Sequence, residues 1–160
     1  MPMFDYSVHK SAWKEIAESA ERNYEPGKFT TFIGYEFTTN SGDLEGGNLH
    51  RNVLFESSNY PERPWTRIDS MNPEDLWSWM DKLRDLGLDS IAIPHNSNGS
   101  NGRMFETKYW NGSLVDDQYA DFRMRNEPIV ESTQVKGTSD THPIYLLTMS
   151  GQTLKFFLTV

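Results

Sequence analysis

Asp89-Ser90-Ile91-Ala92-Ile93-Pro94-His95-Asn96 is a short apolar run that ends on a histidine and opens into a polar loop. It reads as a buried strand of 89–94, with Pro94 fixing the chain direction before His95. The following residues, Asn96 to Gly102, are almost all Asn, Ser and Gly, so the backbone there is free to wrap a ligand. Two other segments share this form. Phe32-Ile33-Gly34-Tyr35-Glu36 ends on a carboxylate, and Asn48-Leu49-His50-Arg51-Asn52-Val53 carries an imidazole. Ligands collect at the carboxyl ends of strands in α/β folds, so Glu36, His50 and His95 together suggest an incomplete metal site. Each has a plainer reading. Glu36 could pair with Arg51 or Lys28, His50 could face solvent from a strand, and His95 could bond to loop backbone.

Working outward, residues 10–23 carry Ala12, Trp13, Ile16, Ala17 and Ala20 on one helical stripe. Pro26-Gly27 breaks the pattern, and the Thr, Phe, Ile and Tyr content of 29–38 predicts a strand. A Gly-rich loop of 39–47 leads to a second strand over 49–55, paired with the first or merely beside it. Asn72-Pro73-Glu74-Asp75 is a helix start, with Asn as N-cap, Pro at N1 and acids at the positive end of the dipole. Leu76, Trp77, Met80 and Leu83 form its inner face, and Gly87 ends it. Residues 116–126 read as helix and 128–134 as strand. The order helix, strand, strand, helix, strand, helix, strand predicts an α/β layer or part of a barrel. The tryptophans, Trp65, Trp77, Trp79 and Trp110 among them, are expected in the core.

The 160 residues suffice for one core. A formal charge of −8 repels phosphate backbones, which argues against general nucleic-acid binding. With no cysteine there is no disulfide or thiolate site. No run reaches the length of a membrane span, and Met1 to Asp5 does not resemble a signal peptide. The compartment stays open, a periplasmic or secreted bacterial parent being compatible. Further ligand candidates are Glu131, in a context like that of Glu36, and Asp140 and His142 in Ser139-Asp140-Thr141-His142.

Phe29 to Glu36, Asn48 to Val53, Ile93-Pro94-His95-Asn96 and Gln134-Val135-Lys136-Gly137 resemble a bacterial domain-of-unknown-function family. Its members look related to the polymerase-and-histidinol-phosphatase (PHP) metal-dependent phosphoesterases. The resemblance spans about Trp13 to Pro143 and implies an α/β fold, a partial PHP-like distorted β/α barrel with strands ending in metal ligands. It implies divalent Zn, Mn or Fe, with Glu36 bridging metals and His50 and His95 ligating one each. It further implies a small anionic substrate, such as a phosphate ester, cleaved by metal-activated water. Arg51, Asn96 and Lys136 would hold that substrate. The family's opening His-x-His and Asp-His strands have no counterpart here, and its last Asp-x-His motif lies beyond this chain's end. The chain is therefore expected to be an internal fragment, 1–143, of such a hydrolase, with little turnover of its own. Residues 144–160 depart from the family's continuation and are expected to be a frameshifted or non-native tail. The rival readings are a non-catalytic carbohydrate- or peptide-binding domain and an inactive truncated product.

Overall fold

The computed structural model describes residues 6–42 and 46–140. Helix α1 (Tyr6–Asn23) turns Trp13 and Ala17 into the core and half-buries Ala20. The inner stripe is narrower than the expected one, because Ile16 remains 48% exposed and Ala12 is exposed too. Trp13 fixes this orientation. Its ring meets Tyr35 and Tyr60 edge-on, and its Nε1–H donates to the Pro61 carbonyl at 2.8 Å.

Strands β1 (Gly34–Phe37), β2 (Arg51–Phe55) and β3 (Ser90–Pro94) form one sheet in the order β1-β2-β3, antiparallel throughout. The first strand is shorter than the expected 29–38. Glu25 and Phe29 close a turn instead, and Phe29 and Phe32 are both 59% exposed. Helix α2 (Pro73–Asp85) begins as expected, with Asn72 Oδ1 accepting from the Glu74 N–H at 2.9 Å. Leu76, Trp77, Met80 and Leu83 are buried. Helix α3 (Asp117–Asn126) is capped in the same way by Asp116, whose carboxylate accepts from the Tyr119 N–H.

The expected strand over 128–134 is reduced to β4 (Thr133–Gln134), paired with β5 (Gly137–Thr138) in a small hairpin. Pro128 has no N–H to offer a ladder, and Ile129 and Val130 are exposed. One bond, Glu131 N–H to the Pro94 carbonyl at 3.0 Å, ties this segment to the end of β3.

The fold is therefore a mixture of helices and small antiparallel sheets, and the described residues form no barrel. A parallel strand pair needs a crossover, and the 38–50 connection contains no helix to carry one, so β2 returns antiparallel to β1. Alternation then gives the sheet two unlike faces. Phe37, Val53, Phe55 and Ala92 point toward the helices and join Trp13, Leu76, Trp77 and Met80 in one core. Gly34, Glu36, Asn52, Leu54, Ile91 and Ile93 lie on the opposite face and are only half-buried or exposed. No helix of the described residues is long and apolar enough to cross a membrane.

Candidate metal centre

The antiparallel order brings the carboxyl ends of β1 and β3 beside the amino end of β2. His50 thus precedes its strand rather than ending it. The ladder between β2 and β3 continues one step past Arg51 and Pro94, where the His95 N–H donates to the His50 carbonyl at 3.2 Å. This makes the two histidines cross-strand neighbours, their rings 5.9 Å apart and nearly perpendicular. Glu36, opposite Asn52, lies diagonally within reach of His50 on the same face.

His50 Nδ1 lies 2.8 Å from Glu36 Oε1, and His95 Nε2 lies 3.7 Å from the same oxygen. Thr38, two residues beyond Glu36 and so on its face, donates its hydroxyl to Oε1 at 2.9 Å. One ligand atom from each of Glu36, His50 and His95 lies within 4.8 Å of the others. The site is graded in depth, with the His95 side chain 8% exposed, His50 27% and Glu36 45%. Burial pushes the His50 imidazole below its usual pKa, against the raising pull of Glu36, so the ring is mainly neutral at neutral pH. His95 Nδ1 is buried and finds no hydrogen-bond partner among the described residues.

The donor set fits a divalent cation. Metal–nitrogen distances near 2.0–2.1 Å in tetrahedral geometry place ligand atoms roughly 3.3 Å apart. The two separations from Glu36, 2.8 and 3.7 Å, bracket that value. Two imidazoles and a carboxylate would leave one of four coordination positions for water, and Glu36, 45% exposed, keeps the cluster within reach of solvent.

The other expected site residues are placed differently. Arg51 alternates to the helix side of the sheet, where its Nε pairs with buried Glu127 at 2.5 Å. It does not share a face with His50. Asn96 adopts a left-handed conformation (φ 55°), and its Oδ1 accepts from Gln134 Nε2. Glu131 lies beside the end of β3, but its carboxylate accepts from Gln134 Nε2 and Ser139 Oγ, both at 2.9 Å. It is not in the three-residue cluster. Lys136 occupies the exposed turn of the β4–β5 hairpin. Asp140 is exposed, with its N–H on Thr138 Oγ1, and His142 lies outside the described residues. The plainer pairing of Glu36 with Lys28 does not form, since Lys28 faces Glu25.

Sequence reading passed over Thr38, Gln134 and Ser139. Thr38 was accessible through strand periodicity. Gln134 and Ser139 reach the site neighbourhood only through tertiary contacts with the 96–97 loop, Ser97 Oγ donating to the Ser139 carbonyl at 2.8 Å.

Fold and site together define a mixed helix-and-sheet domain with a two-histidine, one-carboxylate cluster on the open sheet face. The chain matches the family described as "Protein of unknown function (DUF3604)" over residues 2–151, and it belongs to that family. No curated protein and no solved structure matches it.

Proposed function

We propose that this domain contributes Glu36, His50 and His95 to a divalent-metal centre of a hydrolase acting on phosphate esters or related anionic esters. The observation that supports this reading is the convergence of the three ligand atoms within 4.8 Å at one end of the open sheet face. A cation bound there would lower the pKa of its water and polarise a substrate oxygen. The chain's own residues do the positioning. His95, buried, is the fixed ligand; His50 is held beside it by the strand ladder; Thr38 orients the Glu36 carboxylate. Three protein ligands, one of them exposed, would hold a cation weakly, so modest affinity and slow hydrolysis are expected.

Calorimetric titration with Mn²⁺ and Zn²⁺ tests the reading. The unaltered protein should bind with defined stoichiometry, and Glu36→Ala or His95→Ala should each lose at least about tenfold in affinity. Equal affinity in all three proteins would remove the metal centre. Metal binding with no detectable hydrolysis of bis-(p-nitrophenyl) phosphate would remove the phosphoesterase assignment alone.

A further inference from the structure

A second concave site lies on the helix side of the sheet, remote in chemistry from the histidine cluster. This cavity, of about 280 Å³, is bounded by the start of β2, the first turn of α2, the 103–112 loop and α3. That volume is near the lower end of ordinary ligand pockets, roughly 300–1,000 Å³.

Its floor carries a surplus of positive charge. Arg51 and Arg123 both line the cavity, and both bond to the single carboxylate of Glu127, at 2.5 and 3.0 Å. Trp77 Nε1–H takes a further place on that carboxylate at 2.9 Å. Arg51 is 2% exposed and its other bond is to the Leu49 carbonyl. Two guanidiniums share one buried carboxylate; Arg123 is held further by the Met104 carbonyl at 2.8 Å and by the Trp77 and Phe105 rings, so the group keeps a net positive charge facing the cavity. At the rim, Arg103 is matched by Glu106 at 2.9 Å. Lys108 is exposed and forms no ion pair among the described residues, while Glu74 opposes it as an acid. Glu74 is engaged by the Trp110 N–H, which donates to its carboxylate at 2.6 Å.

The walls are flat and aromatic. Trp77, Tyr119 and Tyr109 stack edge to face in sequence, and Trp110 completes the lining while remaining 44% exposed. Cationic groups behind aromatic walls suit an anion with a ring-shaped body.

We propose that this cavity is a second, metal-independent binding site for a monosaccharide-sized organic anion. Its carboxylate or phosphate faces Arg51 and Arg123, and its ring lies against the Trp110–Tyr109 wall. The proposal does not rest on the metal centre.

Tryptophan fluorescence and calorimetry, in the presence of EDTA, test it with glucuronate and glucose 6-phosphate as probes and glucose and inorganic phosphate as controls. Saturable binding of at least one sugar anion, with no binding of glucose, is expected. Lys108→Glu and Trp110→Ala, both at exposed positions, should each weaken it by about fivefold to tenfold while the far-ultraviolet circular dichroism stays unchanged. Glu36→Ala should bind the sugar anion as the unaltered protein does. Absence of saturation by both sugar anions would overturn the proposal. So would inorganic phosphate binding as tightly as the sugar phosphate, or undiminished binding in both the Lys108 and Trp110 variants.

Discussion

His50 and Arg51 are adjacent in sequence and belong to opposite worlds in the fold. His50 joins Glu36 and His95 on the half-exposed face of the sheet, where ligand atoms converge and water has access. Arg51 points into the helix-covered side, where it pairs with buried Glu127 at the floor of the second cavity. One face gathers ligand-type side chains within reach of water; the other pairs its cation with a buried carboxylate. The lesson is that a polar residue beside a strand end acquires its role from the parity of its position. A one-residue change of register would exchange the two roles.

The comparison breaks most visibly at Glu127. Its side chain is 1% exposed and accepts bonds from Arg51, Trp77 and Arg123. Glu127→Ala leaves buried Arg51 and half-buried Arg123 without their anion and should lower stability by about 3–5 kcal/mol. Urea unfolding measures this, and Glu36→Ala on the open face is the control, expected to change stability by less than about 1 kcal/mol. Comparable losses at the two positions would show that the faces are not energetically distinct.

Gly34 offers a sharper probe because it links strand pairing to the Glu36, His50 and His95 cluster. A Cβ placed there would lie 2.6 Å from Leu54 Cδ2 and 2.7 Å from the Val53 carbonyl oxygen. The conflict with backbone cannot be relieved by a rotamer change, so Gly34→Ala should cost about 1–3 kcal/mol. It should also weaken metal binding, since β1 carries Glu36. An unchanged thermal midpoint would mean that β1 and β2 are not held in this register.

The smallest effect concerns pH. Burial depresses the His50 pKa in the folded state, so the unfolded chain takes up more protons below about 6.5. The sign follows directly: the contribution is present at neutral pH and declines as pH falls from about 6.5 toward the lower folded-state value. His50→Gln should flatten this part of the stability–pH curve without affecting the loss at more acidic pH. An identical curve in the variant would place the titration elsewhere.

Much of the architecture was legible locally. The Asn72-Pro73-Glu74-Asp75 start fixed α2 because its cap, its proline and its acids all act within one turn. The apolar run at 91–94 fixed β3, and Glu36, His50 and His95 stood out as ligand-type residues in or beside apolar strand segments. The stripe of α1 was less legible, since helical spacing admits Ile16 while packing around Trp13 and Pro61 leaves it outside. The 128–134 strand failed for a related reason. Its composition favours β structure, but Pro128 offers no N–H, and Ile129 and Val130 stay exposed among the described residues.

By itself the sequence determined which residues could be ligands and where helices and strands would begin, because capping, periodicity and turn chemistry are short-range. Tertiary structure decided strand direction, and with it the place of His50 at the amino end of β2. It also decided that Arg51 would meet Glu127, 76 residues away, and not the histidines. Those choices depend on long-range pairing and on which face the helices cover, and no local pattern around His50-Arg51 encodes either.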